Sequence, residues 1–242
     1  MKSIEIAKPQ KLENLKEIIL LIDATYWGKD FGVVVFKDAI LGKFIWWYFI
    51  NGKEELEHYK LGFKWCLEQG YIIKGVVSDG FKGLAKIIIP TPFQICQVHI
   101  QRAVMKKLTR KPPSGLRSKK STAGAELLAL SKELFKLSSD DFKAELENWQ
   151  EKHKDFLNEK TIDENGKWRY THAKVRSAYY TFKRNLAYLF TYESVDNLPK
   201  TNNGLEAEFA HLKTKLRVHS GLNLTNKMKF ISHYFVIKNE EK

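Results

Sequence analysis

The sequence predicts an α/β fold: a mixed sheet in the order β-β-β-α-β-α-β, with an all-helical insertion ahead of a last pair of helices. Three observations predict it. Short runs rich in β-branched and large aliphatic residues recur between Glu17 and Cys96 and read as strands. Two of these runs close on an aspartate, Asp23 and Asp79. From Ala125 to about Tyr192 only helical periodicity is visible, so the strand pattern is broken by a different kind of structure.

Taken in order, residues 1–16 are polar and read as a tail or linker. In Glu17 to Gly28 (EIILLIDATYWG), the apolar residues Ile18 to Leu21 lead through Ile22 into Asp23, the pattern of a buried, central strand. An ionised carboxylate near the end of such a strand is costly unless something binds it; a metal ion is one partner, and a turn or helix cap is the plainer role. Phe31 to Phe36 and Lys43 to Ile50 follow after short connections, which predicts an antiparallel meander. Lys53 to Gln69 has helical spacing at Leu56, Tyr59, Phe63 and Leu67, with Gly70 as its stop. Tyr71 to Val77 is a fourth strand running into Ser78–Asp79–Gly80, Phe81 to Ile88 a short helix, Phe93 to Cys96 a fifth strand, and His99 to Leu108 a helix. That order is the ribonuclease-H-like arrangement of a mixed sheet flanked by helices.

Arg110 to Gly124 is a Lys/Arg/Ser/Pro/Gly stretch without periodicity and reads as a loop. Glu126–Leu137, Ser139–Leu157 and His172–Phe190 are the helical signals of the insertion. Thr201 or Asn202 caps a helix to about Leu216, His219–Gly221 breaks it, and Leu224 to Ile237 is the last helix. The expected organisation is thus a tail or linker over 1–16, one domain from 17–110 with 196–242, and a helical insertion over 111–195.

Composition narrows the partners. The chain has 242 residues, 43% hydrophobic and 13% aromatic, enough for a folded core. Its net charge is +13, from 41 Lys+Arg against 28 Asp+Glu, which points to a polyanion, nucleic acid above all. Two cysteines, Cys66 and Cys96, are too few for a disulfide framework and suit a reducing compartment. No apolar run approaches the roughly 20 residues that span a bilayer, and the N-terminus lacks a signal-peptide layout. The expectation is a soluble, cytoplasmic protein with no membrane partner.

Chemistry is sought where carboxylates converge. In the expected topology the first and fourth strands are neighbours, so Asp23 and Asp79 face each other, and two adjacent carboxylates repel unless a divalent cation relieves them. A third is Glu206 in TNNGLEAEF, on the helix capped by Thr201 or Asn202, with Asn203 three residues earlier on the same helical face. Glu208 lies on another face and is the weaker candidate. Cys96-x-x-His99 invites a zinc reading, but a structural zinc site wants four ligands and Cys66 has no partner at ligand spacing. Ile100 to Lys120 carries Arg102, Lys106, Lys107, Arg110, Lys111, Arg117, Lys119 and Lys120 with no acid; Phe209 to Ile237 carries Lys213, Lys215, Arg217, Lys227 and Lys229, again with none. A merely solvated face interleaves both signs, so these read as phosphate-contact stripes. Trp149 and Trp168 have the chemistry to stack on an unpaired base, though core packing is the expected role of each.

Asp23 in LIDATYWG, Asp79 in VVSDGFKGL, the Cys96/His99 pair in CQVHIQR and Glu206 in TNNGLE together resemble the DDE transposases of bacterial insertion sequences, nearest to the Mutator-like group. The resemblance covers roughly residues 17–235, with separations of 56 (79 − 23) and 127 (206 − 79) residues and a helical insertion before the Glu. It implies that Asp23, Asp79 and Glu206 hold two Mg²⁺ (or Mn²⁺) ions for cleavage and strand transfer of transposon-end DNA. It implies that Cys96, His99 and Asn203 support the site from behind, although Cys96 and His99 also read as buried packing residues. Arg102, Lys106, Lys107, Lys213, Lys215 and Arg217 are the expected contacts to double-stranded DNA, both terminal repeats and target. By the same resemblance the working form is a synapsed homo-oligomer. Members of the family carry a DNA-binding region upstream of the first Asp, so this chain is expected to be the catalytic portion.

Overall fold

The computed structural model describes residues 5–13, 15–29, 31–109, 121–162 and 164–241. The expected succession of elements is present: β1 (Glu17–Trp27), β2 (Phe31–Asp38), β3 (Phe44–Asn51), α1 (Leu56–Glu68), β4 (Ile72–Ser78), α2 (Leu84–Ile87) and β5 (Phe93–Ile95). These strands form one five-stranded sheet in the order β3-β2-β1-β4-β5. The sheet is mixed, because β1 runs antiparallel to β2 and parallel to β4. The helices that follow are α3 (Gln97–Thr109), α4 (Thr122–Glu133), α5 (Ser139–Lys152), α6 (Lys154–Asn158), α7 (Ala173–Leu189), α8 (Asn203–Val218) and α9 (Leu224–Glu240).

The chain divides into two compact units, Met1–Gln94 with Ser194–Lys242, and Ile95–Glu193. The insertion therefore begins earlier than the expected 111: α3 packs against α7 and α4 and belongs with the helices. Residues 110–120, with Arg110, Lys111, Arg117, Lys119 and Lys120, lie outside the described residues.

In the first unit β1 is the centre, and Ile18 to Ile22 are all buried. The strand does not turn at Asp23 but continues to Trp27. Its pairing explains this: β4 stays in register only to Leu21↔Val77, whereas β2 follows β1 to Trp27↔Phe31, so the far half of β1 is held from one side. Successive side chains of a strand point to opposite faces, and Trp46 and Trp47 show what covers each. Trp46 meets Phe36 (5.1 Å between rings), which also packs on Phe63 (4.9 Å) from α1. Trp47 meets Phe235 of α9 at 5.3 Å, and Phe235 also lies on Phe44 at 4.4 Å. Gly62 lets α1 approach the first face, since a Cβ there would stand 2.5 Å from Phe36 Cζ. The residues read as a tail are tied down at several points: Ala7 N–H donates to Ser232 Oγ (3.0 Å), Leu12 N–H to the Tyr71 hydroxyl (2.8 Å), and Lys16 C=O accepts from Ile72 N–H (2.8 Å).

The second unit is helical around Phe142, whose ring meets Phe182 at 5.1 Å and Phe190 at 5.6 Å. Ser121 and Ser138 side chains cap α4 and α5 by accepting N–H groups of the first turn. The unit is not all-helical, however. A two-stranded hairpin, β6 (Lys160–Ile162) and β7 (Trp168–Tyr170), interrupts it. Three-residue strands are too short to disturb a helical periodicity, and the signal lay instead in Asn165–Gly166, with Gly166 at φ 74°, the turn pair of a hairpin. Trp149 is buried as expected, its Nε1 donating to Ala123 C=O at 3.1 Å. Trp168 is not in a core: it is 59% exposed on β7. Among the described residues, no helix is long and apolar enough to cross a membrane.

Candidate active site

The first and fourth strands are neighbours, as the topology requires for Asp23 and Asp79 to meet. The last paired residues are Leu21↔Val77; Asp23 stands two residues further along β1, and Asp79 two residues further, in the turn that follows β4. Asp23 Oδ1 accepts from its neighbour Ala24 N–H at 2.8 Å, and Oδ2 from Asn202 Nδ2 at 3.4 Å. Asp79 Oδ1 accepts from Ser78 Oγ (3.2 Å) and Phe81 N–H (3.1 Å), closing the turn after β4. The next helix is capped at Gly83, so helix capping is not the work of Asp79.

Glu206 stands in α8, a helix that packs on β1. Asn202 is the N-cap residue, yet its side chain does not cap the helix. It is fully buried, and its amide spans instead to Ile22 C=O (3.1 Å) and the Asp23 carboxylate. Leu205 and Glu206 N–H both donate to Asn202 C=O (3.0 and 3.1 Å), so Glu206 is fixed one turn into a helix whose start is fastened to β1. Gly204 brings that first turn close, because a Cβ there would stand 3.4 Å from Leu21 Cδ1. The positive end of the helix dipole thus faces the Asp23 carboxylate. Asn203, the residue chosen from helical spacing, is exposed; the neighbouring Asn202 is the one that touches Asp23. Thr-Asn-Asn offers two adjacent cap candidates, and local sequence does not choose between them.

Glu208 has a different occupation. It pairs with Lys37 Nζ at 3.1 Å and accepts from Tyr234 O–H at 2.8 Å, linking β2 to α8 and α9. Burial pushes its carboxyl up, but the Tyr234 and Lys37 hydrogen bonds outweigh that and hold it below the ordinary value.

Glu54 is a further carboxylate of this neighbourhood that sequence reasoning did not single out. It sits between β3 and α1, accepts from Tyr59 O–H at 2.7 Å, and its backbone N–H donates to Tyr26 O–H at 2.8 Å. Burial raises its pKa, and the negative charge of Asp79 raises it further. Tyr59 is pushed far up by burial, by Glu54 and by both Asp79 and Asp23, which places one phenol within the field of all three acids. Lys53-Glu54-Glu55 reads in sequence only as a helix start; nothing local tells that this connection returns to the β1–β4 end.

Cys96 is buried just after β5 and His99 is half-buried in the first turn of α3, both in the helical unit. Cys66 is buried in α1 with its thiol pushed up to about 12 by burial, the state of an inert core thiol. On α3, Arg102 and Lys106 are exposed, whereas Lys107 turns inward: its ammonium donates to Ser177 C=O (3.3 Å) and to Thr181 Oγ1, and burial lowers its pKa. Lys213, Lys215 and Arg217 are exposed along α8. Comparison with protein-family models, with curated proteins and with solved structures gave no match.

Proposed function

We propose that this chain is a DDE-type transposase of ribonuclease-H-like fold, cleaving transposon-end DNA and joining it to target DNA. The observation that carries the reading is the Asn202 bridge. It fastens the start of the Glu206 helix to Asp23, on the strand that pairs in parallel with the one running into Asp79. On this reading the three acids, distant in sequence, serve one site at the carboxyl ends of adjacent parallel strands, where open α/β sheets bind ligands.

The donor set fits hard divalent cations. The groups that Asp23, Asp79 and Glu206 offer are carboxylate oxygens, the donors such ions prefer. Asp23, Asp79 and Glu206 would hold two Mg²⁺ (or Mn²⁺) ions, which when bound would supply activation of the attacking hydroxyl and charge stabilisation at the leaving oxygen. The chain's own residues do the positioning: Asn202 orients Asp23, the Ser78–Phe81 turn orients Asp79, and α8 presents Glu206. Lys213, Lys215 and Arg217 on the exposed side of α8, with Arg102 and Lys106 on α3, contact DNA phosphates. Terminal repeats and target DNA are the partners, in a homo-oligomer that pairs the two ends.

The test incubates the protein with a pre-cleaved terminal-repeat duplex, Mg²⁺ and plasmid. Joined products are expected, and Asp79→Asn is expected to abolish them while leaving DNA binding intact. Nicking without joining would reduce the reading to a ribonuclease-H-like nuclease. Salt-sensitive binding with no chemistry would reduce it to an inactive, DNA-binding transposase remnant. Full turnover by Asp79→Asn would overturn the site.

A further inference from the structure

The second unit carries a feature that the carboxylate site does not use. From Lys167 to Phe190 the sequence has six basic residues (Lys167, Arg169, Lys174, Arg176, Lys183, Arg184) and no acid, interleaved with Trp168 and four tyrosines. In the structure this stretch is β7 and α7. Ile162 pairs with Trp168 and Lys160 with Tyr170 across the hairpin, so these four share one face. On it Trp168 is 59% and Ile162 75% exposed, and the Lys160 ammonium stands 4.3 Å from the Trp168 ring centre.

The hairpin is braced by contacts to α6 and α7. The Arg176 guanidinium lies 3.8 Å from the Tyr170 ring and 4.8 Å from the Tyr180 ring, and it donates to Leu157 C=O (3.0 Å) and Asn158 Oδ1 (3.1 Å). Thr171 N–H donates to Glu159 C=O (3.0 Å), and the Glu159 carboxylate is taken up by His172 at 2.9 Å. An exposed indole fixed on a braced hairpin, with the Lys160 ammonium against its ring, is costly as mere surface. A protein interface of this size would be depleted of lysine; an unpaired nucleotide asks for an open aromatic face with cations beside it. Duplex bases are already stacked on one another and have no use for the ring.

We propose that the β6–β7 hairpin and the exposed side of α7 form a platform for single-stranded nucleic acid, an unpaired base stacking on Trp168 while Lys160 and Lys174 take the flanking phosphates. The inference rests on the transposase reading only in choosing DNA as the nucleic acid. It is tested by fluorescence anisotropy in EDTA, with the full chain, a labelled oligo-dT of about 20 nucleotides and a duplex of equal length. Trp168→Ala weakens single-strand binding about tenfold, the scale of one base–aromatic stack, and leaves duplex binding unchanged. Trp168→Phe, which keeps a ring, retains most of the single-strand affinity. Unchanged single-strand binding by Trp168→Ala, or an equal loss for duplex and single strand, would overturn the proposal. Because EDTA removes any metal, failure of the carboxylate chemistry leaves this measurement untouched.

Discussion

Glu206 and Glu208 are two residues apart on one helix and are predicted to fail in opposite ways. Glu208 holds Lys37, whose side chain is 8% exposed against 24% for the glutamate, and it also accepts the Tyr234 hydroxyl. Removing one partner of a buried pair costs about 3–5 kcal/mol; with Glu208 a quarter exposed, about 2 kcal/mol is expected for Glu208→Ala. At about 2–4 °C per kcal/mol for chains of this length, Tm falls by about 4–8 °C. Joining activity, assayed well below that Tm, persists. Glu206→Gln keeps the side chain's size, so Tm stays within about 2 °C while strand transfer is lost. Thermal melts and the joining assay on the two purified variants decide it. An unshifted Tm in Glu208→Ala refutes the structural role, and retained joining in Glu206→Gln refutes the catalytic one.

Asp79→Asn relieves the repulsion that raises Glu54, so it is expected to raise Tm in EDTA while losing the further Tm increase that Mg²⁺ gives the unaltered chain. Gly62→Ala gains about 1 kcal/mol of helix propensity but drives a methyl into Phe36, and the roughly 1–3 kcal/mol of overpacking leaves it less stable by urea titration. Asn202→Ala strips Ile22 C=O of its buried amide partner, costing about 1–3 kcal/mol, and lowers joining activity by loosening Asp23. The pH dependence has a definite sign at both ends. Glu208 sits below its unfolded value of about 4.3, so its contribution is full above that and lost as pH falls through the lower folded value. Tyr59 is raised, so its contribution is full below about pH 10 and lost as pH climbs beyond it; a melt series across pH 3–11 shows both.

The sheet was legible in the sequence because strands made of Ile, Val and Leu announce themselves whichever way they pair, and the short connections before β2 and β3 leave little choice of partner. The neighbouring of the first and fourth strands followed from that topology. The extent of β1 did not, since the residues after Asp23 are strand only because β2 keeps pairing with them. The unit boundary was missed for a related reason: whether α3 packs on the sheet or on α7 is a long-range matter that its own periodicity cannot express. The hairpin was missed because a pair of three-residue strands carries almost no pattern, although Asn165–Gly166 was in plain view. Glu54 and Asn202 were invisible as site residues, because each matters through where a connection returns in space. Trp168 shows the converse: an aromatic reads as core until the structure leaves it outside.

Gly75 on β4 has no side chain, and the methyls of Leu198 lie directly against it, so that a Cβ would stand 2.8 Å from Leu198 Cδ1. The chain departs from the sheet after β5, beside β4, and it comes back at Leu198 to touch that same strand. The exit and the return are therefore near one another whatever is spliced between them. Closing a longer excursion costs only about 0.6 kcal/mol for each doubling of its length. The points where the chain leaves and rejoins the sheet are thus both held at β4, so the length of the stretch between them weighs little on closing the sheet.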